Sequence, residues 1–139
     1  MAAGTEVPER EYGPLTLLDT VRWAGVQENA EPLHWDREHA RTRSGMKSFI
    51  ASGGYRQALL ARTLTDWIGP QGELRRMRVR HLAPTSEGDR MRFRGHVLQT
   101  SGTVAEPWVV CEVEGRDQDD RQILTGQCTL ALQTRQRRQ

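Results

Sequence analysis

Residues 54–67 read GYRQALLARTLTDW, and the hydrophobic period changes directly after them, which is the main indication of the fold class. Its apolar residues recur every three or four positions, which predicts an amphipathic helix over 54–67. Gly69-Pro70 is a helix stop. From Glu73 onward apolar and polar residues alternate, which is typical of strands with one buried face.

Four strands are predicted after this helix. They cover Leu74 to His81, Asp89 to Thr100, Trp108 to Glu114 and Gln122 to Leu132. Polar turns separate them, so we expect an antiparallel meander. An amphipathic helix and a one-sided sheet bury their apolar faces against each other, which predicts an α+β layer with the helix on the sheet.

The part of the chain ahead of the long helix is helical and irregular in pattern. A helix of about ten residues is predicted from Leu15 to Gly25. Asp36 is a good N-cap for a second, short helix that runs to about Arg43. Gly45 ends that helix.

Length and composition predict one globular domain over 1–139. The chain has 139 residues, of which 36% are hydrophobic and 27% charged, so a disordered or low-complexity chain is excluded. We expect a core over about 14–132 and a solvated basic tail over 133–139. The two cysteines, Cys111 and Cys128, lie in alternating runs and lack zinc spacing, so we interpret them as buried thiols and predict no metal site.

Charge and hydropathy exclude two classes of partner. No apolar stretch approaches the roughly 20 residues that cross a bilayer, and the N-terminus lacks a signal-peptide pattern. We therefore expect a cytoplasmic protein that does not bind membranes. The formal net charge of +2 is too small to indicate nucleic-acid binding.

The cations are almost all arginine, since Lys47 is the only lysine among 20 basic residues. Residues two apart in a strand share a face, so two predicted neighbouring strands carry a basic stripe. This stripe is either a solvated outer face balanced by acids such as Glu112 and Glu114, or a surface for an anionic group such as the phosphates of coenzyme A. The two rows are Arg76, Arg78 and Arg80, and Arg90, Arg92 and Arg94, with Arg78, Arg80 and Arg92 as candidate phosphate contacts.

His34 is the residue best placed for acid or base chemistry. It lies between Pro32 and the predicted N-cap Asp36, which hold it at a defined angle. His39 and His81 are weaker candidates, since one lies on a short exposed helix and the other in the arginine-rich strand. No P-loop, dinucleotide fingerprint, nucleophile elbow or H-E-x-x-H helix is present.

Two motifs resemble those of a known family. Residues 28–36 read ENAEPLHWD and residues 45–53 read GMKSFIASG, ahead of the long helix and the meander. This order resembles the MaoC-like hot-dog family of R-specific enoyl-CoA hydratases and 3-hydroxyacyl-thioester dehydratases, whose motifs typically read G-D-x-N-P-[LI]-H-x-D and G-[FY]-x-x-P-[IV]-A-H-G. The resemblance covers roughly 14–132. It implies a hot-dog fold, in which an antiparallel sheet wraps around a long central helix, and usually a dimer.

The resemblance also implies a reaction, which is reversible addition of water to a trans-2-enoyl thioester of coenzyme A or an acyl carrier protein. His34 matches the catalytic histidine, and Gly53 matches the glycine whose N–H binds the thioester oxygen. Ser52 stands in the second motif where histidine is usual and can hydrogen-bond near the thioester. No cofactor is implied, because coenzyme A or the carrier is part of the substrate.

The first motif departs from the family at its aspartate. Asn29 stands five positions before His34, where the family has the catalytic aspartate. An amide takes no proton, but it can hold a water or orient His34. Alternatively, Glu28 or Glu31 supplies the carboxylate, or the asparagine is a substitution made to trap a ligand.

The second motif departs at Phe49, which replaces a proline and suggests a reshaped acyl pocket with Trp23 on its wall. We therefore predict a lyase that acts as a homodimer or beside another hot-dog subunit. Two alternatives stay open. One is a non-catalytic subunit of a heteromeric hydratase, and the other is a hot-dog thioesterase with Glu28 or Glu31 as the base.

Overall fold

A five-stranded antiparallel sheet and three helices make up the computed structural model, which describes residues 1–132. The basic tail predicted over 133–139 lies outside the described residues. Within 1–132, no helix is long and apolar enough to cross a membrane. In chain order the elements are β1 (Glu6–Tyr12), α1 (Leu17–Gln27), a 3₁₀ turn (Pro32–His34), α2 (Arg37–Ser44), α3 (Gly53–Ile68), β2 (Glu73–His81), β3 (Met91–Gly102), β4 (Pro107–Arg116) and β5 (Gln122–Ala131).

Helix α3 confirms the prediction for residues 54–67 and extends it by one residue at each end. Ser52 is the N-cap, and its Oγ accepts a hydrogen bond from the Tyr55 N–H. The apolar stripe of α3 buries Leu60 and Leu64 against the sheet. The helix therefore packs its apolar stripe on one face of the sheet, as the α+β prediction requires.

The strand order is β1-β3-β4-β5-β2, which corrects the predicted four-strand meander. Only β3, β4 and β5 form a meander. Strand β2 pairs with β5, with Met77 opposite Cys128 and Val79 opposite Gly126. Alternation shows which residues share a face of a strand, but it carries no information on which strands pair.

Strand β1 is absent from the sequence prediction, and it pairs antiparallel with β3. Pro8 and a shift of register between Val7 and Arg10 interrupt its alternation, and Val7 is its one buried residue. Tyr12 Oη lies 3.1 Å from Thr63 Oγ1 of α3, which joins β1 to the central helix. The predicted core boundary at residue 14 is therefore too late, since the sheet begins at Glu6.

Both cysteines are buried and face each other across β4 and β5, as small core thiols. Burial raises the pKa of Cys111 to about 11 and that of Cys128 to about 12. Both thiols are therefore protonated and poorly nucleophilic at neutral pH.

The two arginine rows do not form one stripe, because β4 and β5 separate β2 from β3. Acids neutralise the row on β3. Arg94 Nε donates to Glu114 at 2.7 Å, and Arg92 Nη2 donates to Asp120 at 2.9 Å. For the β3 row, the interpretation as a solvated face balanced by acids is therefore the better one. The β2 row differs, since Arg76, Arg78 and Arg80 make no ion pair within 1–132.

Candidate functional site

The segment after α1 holds His34 on a fixed turn. Helix α1 ends at Gln27, and its C-cap Glu28, with a φ of 52°, turns the chain sharply. Asn29 Oδ1 then accepts a hydrogen bond from the Glu31 N–H at 3.1 Å. Pro32 opens a single 3₁₀ turn that ends at His34, so the motif is rigid although it is not a long helix.

One hydrogen bond decides the tautomer of His34. Its Nδ1 lies 2.8 Å from the carbonyl oxygen of Ile50. Since a carbonyl only accepts, Nδ1 carries the proton and donates it. In the neutral ring the Nε2 lone pair is therefore available to take a proton, as a general base requires.

The beginning of α3 supplies the second half of the site. Gly53 and Gly54 are the first two residues of the helix, and first-turn N–H groups have no acceptor within a helix. These free N–H groups form the positive end of the helix dipole, where a developing negative charge is stabilised. A Cβ on Gly53 would lie 3.0 Å from His81 Nε2, and one on Gly54 would lie 2.4 Å from the amide nitrogen of Gln27. Glycine at both positions therefore leaves room for the His81 ring and the Gln27 amide to lie against the beginning of α3.

A narrow cavity lies between α1, the His34 turn and the beginning of α3. About 10 Å³ of it is open to the centre of a water molecule. That is roughly the space that one buried water needs, and it is too small for an acyl chain. Its walls include Thr20, Trp23 and Gln27 from α1, Asn29 and His34 from the turn, and Ser52 and Tyr55 at the beginning of α3.

Four of the predicted site residues therefore meet at this cavity, namely Trp23, Asn29, His34 and Ser52. The Trp23 and Tyr55 rings contact each other at a centroid distance of 5.7 Å. Ser52 is buried, and its hydroxyl oxygen is used to cap α3. Within 1–132, no cluster of three side chains from His, Cys, Asp or Glu could hold a metal ion.

Other predicted site residues lie away from the cavity. Glu28 and Glu31 are exposed. Glu28 is the C-cap of α1, and Glu31 precedes the 3₁₀ turn as its N-cap residue. Phe49 is completely buried with Leu15 and Ala51 and does not line this water-sized cavity, so its expected place in an acyl pocket with Trp23 stays a prediction. A large ring in an irregular segment is most stable when buried, and here the core beside the site accommodates it.

The candidate phosphate contacts Arg78, Arg80 and Arg92 do not meet each other. Arg78 and Arg80 lie on the edge strand β2, whereas Arg92 lies on β3 and is held by Asp120 and the carbonyl oxygen of Asp117. Their side chains alternate with the core-facing residues of these strands, so they lie on the face of the sheet opposite α3.

Arg56 is a site neighbour that the sequence did not reveal. It is only 5% exposed, and its Nη1 donates to the carbonyl oxygen of Ala83 at 2.6 Å. Burial lowers its pKa to about 10. Burial and the nearby Arg56 charge also hold the pKa of His81 below its usual value. No sequence signal marks Arg56, because an arginine in an amphipathic helix normally faces solvent.

The Glu87 carboxylate holds residues 48–50 in place through hydrogen bonds, and Ile50 in this segment is the hydrogen-bond partner of His34. Glu87 accepts hydrogen bonds from Arg37 Nε at 2.8 Å and from Ser48 Oγ at 2.7 Å. The Arg37 and Ser48 bonds, in that order, lower the pKa of Glu87 to about 2. Glu87 therefore joins α2 to the chain just before Ile50.

We expect Glu87→Gln to flatten the acid dependence of stability. The pKa of Glu87 is about 2 in the folded protein against an ordinary value of 4.5. Its contribution to the free energy of unfolding is therefore complete above pH 4.5 and is lost as the pH falls toward 2. Urea unfolding across this range measures the difference, which is about 1 kcal/mol or less because the pair is partly exposed. The control Glu106→Gln removes an exposed carboxylate of a loop and should keep the native slope; equal slopes for native protein and Glu87→Gln would refute the assignment.

Comparison with known proteins identifies the family. The sequence matches the family model described as "MaoC like domain" over residues 2–112. The chain belongs to the MaoC-like domain family. The resemblance seen in its two motifs is thereby confirmed. No curated protein matches the sequence.

Solved structures of similar shape show that this MaoC-like domain has the hot-dog fold. The unliganded R-hydratase PhaJ1 from Pseudomonas aeruginosa superposes with a TM-score of 0.85 at 22% identity, covering 96% of this chain and 84% of that one. The ChsH1–ChsH2 complex from Mycobacterium tuberculosis gives 0.81 at 21% identity, with 94% and 98% covered. The HadBC 3R-hydroxyacyl-ACP dehydratase complex from the same organism gives 0.75 at 15%, with 94% and 97% covered.

Proposed function

We propose that this MaoC-like domain adds water to a trans-2-enoyl thioester, or removes it from the 3-hydroxyacyl product, with His34 as the acid and base. The observation that carries the proposal is the bond from His34 Nδ1–H to the Ile50 carbonyl, which leaves Nε2 as a base on a residue that lines a water-sized cavity. The family and the R-hydratase of similar structure support a hydratase or dehydratase.

Hydration needs only one proton-transfer group, His34, because the proton taken from water is the one delivered to C2. In hydration, the water oxygen bonds to C3 while one water proton moves to His34 Nε2. The π electrons of the C2–C3 bond move toward the thioester oxygen, where the N–H of Gly53 binds the developing enolate. The enolate then takes the proton from His34 at C2, so one water is added in all. Loss of one such oxyanion donor typically costs about 10²–10³ in kcat.

Asn29 fits the role of holding the water. Its Oδ1 accepts one bond from the Glu31 N–H, and an amide oxygen has a second acceptor position. Among the cavity-lining residues within 1–132, only His34 and Tyr55 have side chains that can exchange a proton in this way. Burial, and then the charge of Asp19, raise the pKa of Tyr55, which keeps it protonated. His34 is therefore the base of the proposal.

We expect Asn29→Asp to change kcat for hydration by less than about tenfold. A carboxylate accepts the Glu31 N–H as the amide does, so the turn is preserved, and the native site already has its base in His34. Steady-state hydration of crotonyl-CoA measures the change. A gain of a hundredfold or more would contradict the proposal, because it would show that the native site lacks a necessary carboxylate.

A second candidate function is that of a subunit in a heteromeric hydratase. Its support is the size of the cavity, because the space open within one chain suits a water and not an acyl group. The ChsH1–ChsH2 and HadBC complexes have similar folds. We propose that a second copy of this chain or another hot-dog subunit completes the acyl pocket. Arg78 and Arg80 remain candidates for coenzyme A phosphates in such an assembly.

One assay separates hydratase, subunit and thioesterase. Purified protein is mixed with crotonyl-CoA and with a longer enoyl-CoA, and both the enoyl absorbance and free thiol are followed. Loss of enoyl absorbance without thiol supports the hydratase. Thiol release without enoyl loss supports the thioesterase, which the exposed positions of Glu28 and Glu31 outside the cavity disfavour. No activity in the purified protein, followed by hydration when a copurifying hot-dog subunit is added, supports the heteromeric subunit.

A further inference from the structure

The sheet has two edge strands, β1 and β2, and they differ in how well they can pair with a further strand. Each has one neighbour, β3 for β1 and β5 for β2. An edge strand offers unpaired backbone N–H and C=O groups to an added strand. In β1, Pro8 lacks an N–H and the register shifts between Val7 and Arg10. Strand β2 contains no proline and keeps a regular register from Arg76 to His81, so it is the better edge for pairing.

The inner face of β2 is incompletely covered. Leu74, Met77 and Val79 pack against the core cluster, yet they are only half-buried. On the neighbouring strand β5, the inner residues Cys128 and Leu130 are fully buried. A strand added at the β2 edge would cover the apolar surface that these three side chains leave exposed, and that burial favours association.

The outer face of β2 carries a positive charge that no acid balances. Arg76, Arg78 and Arg80 are exposed and make no ion pair within 1–132. The residues opposite them on β5 are neutral, namely Thr129, Gln127 and Thr125. Charged side chains alone can serve to keep an edge from aggregating. Here the charged row accompanies an apolar inner margin, which favours a partner of opposite charge.

A second copy of this chain is a poor match for the β2 edge. Two β2 strands related by a two-fold axis would run antiparallel, with outward residues opposite outward residues. In every register that overlaps the two rows and keeps the apolar residues inside, arginine faces arginine. The register that pairs Arg78 with its own copy, for example, pairs Arg76 with Arg80. Like charges directly opposite each other destabilise a strand pair.

We propose that β2 pairs with the edge strand of a different hot-dog subunit, one that carries aspartate or glutamate at alternate outward positions, in preference to β2 of a second copy. Each arginine then faces a carboxylate, to which its planar guanidinium can donate two hydrogen bonds. The inference deepens the second candidate function, that of a heteromeric subunit, and rests on it. It assigns the arginine row to the partner, since arginines paired in this way are not available to coenzyme A phosphates.

A charge-reversed copy of the chain can stand in for the partner. The variant Arg76→Glu/Arg78→Glu/Arg80→Glu has an acidic outward row. We expect it to form a 1:1 complex with native protein at least about tenfold tighter than either chain binds itself, because three cross-strand pairs change from like to opposite charge. Sedimentation velocity and native mass spectrometry measure the three species. Raising NaCl from about 0.05 M to about 0.5 M should weaken the mixed complex, since salt screens exposed charges.

The matched control is Arg22→Glu/Arg43→Glu/Lys47→Glu, which changes the net charge equally at exposed positions away from β2. It should show no preference for native protein. If the triple β2 variant does not fold, Arg78→Glu alone should show the same preference by a smaller factor.

Two results overturn the inference. One is a native protein that binds itself as tightly as it binds the β2 variant, and the other is a control that binds native protein equally well. Neither measurement involves catalysis. Failure of the native protein to hydrate any enoyl thioester, alone or with a hot-dog partner, would instead overturn the proposed function and leave the association results unchanged.

Discussion

Replacing His34 with alanine is expected to lower kcat for enoyl-thioester hydration by about 10²–10⁴-fold, the usual contribution of a general acid and base. The reason is the bond from Nδ1–H to the Ile50 carbonyl, which leaves Nε2 to exchange protons. No other titrating residue on the cavity wall within 1–132 can replace it, because Tyr55 is protonated. Steady-state kinetics with crotonyl-CoA measures the loss.

His39→Ala is the matched control for that experiment. His39 lies in the first turn of α2, where only its backbone N–H contacts the Asp36 cap. Its replacement should leave kcat within about twofold of the native value, since the half-buried His39 does not line the cavity. KM should change little in His34→Ala, because the base acts on the water. Retention of more than a tenth of native kcat by His34→Ala would refute its role.

Phe93→Ala is expected to destabilise the fold by about 3–5 kcal/mol, the usual cost of removing a buried phenylalanine ring. Phe93 is fully buried on β3 between α3 and the sheet. Its ring contacts Tyr12 at 5.9 Å and lies over Gly115, where a Cβ would come within 2.8 Å of it. Since the site rests on α3 and this sheet, activity should be lost at a lower temperature in the variant.

Urea unfolding at one fixed protomer concentration measures this loss, because association with a second subunit would add a concentration-dependent contribution. Leu98→Ala is the control on the same strand, since Leu98 is 39% exposed and should cost much less. A loss below about 1 kcal/mol for Phe93→Ala would show that the ring does not support the core as its burial implies.

Local sequence signals predicted the helices and the later strands well. The N-cap Asp36 and the stops at Gly45 and Gly69 are chemical signals confined to a few neighbouring residues. Strand β1 lacked such signals, since Pro8 breaks its alternation and a single residue, Val7, is buried. Its strand conformation depends on pairing with β3, which is a long-range contact.

The same distinction between local signals and long-range contacts applies to the site residues. The family motif located His34, Asn29 and Ser52, and the structure brings them to one cavity with Trp23. The second motif predicted Phe49 in an acyl pocket, which stays a prediction, and the structure shows Phe49 packed with Leu15 and Ala51. A departure from a motif shows that a position has changed, but where the new side chain goes depends on the space left by other elements.

The period of the later strands, the ends of the helices and the position of His34 before α2 could be read from the amino-acid sequence, because these features depend on neighbours along the chain. The pairing of β2 with β5, which keeps the two arginine rows apart, follows from the packing of the whole chain. The same packing makes the Ile50 carbonyl set the tautomer of His34 and brings His34, Asn29 and Ser52 to one water-sized cavity. These features depend on the distances between groups far apart in the chain, which no local pattern records.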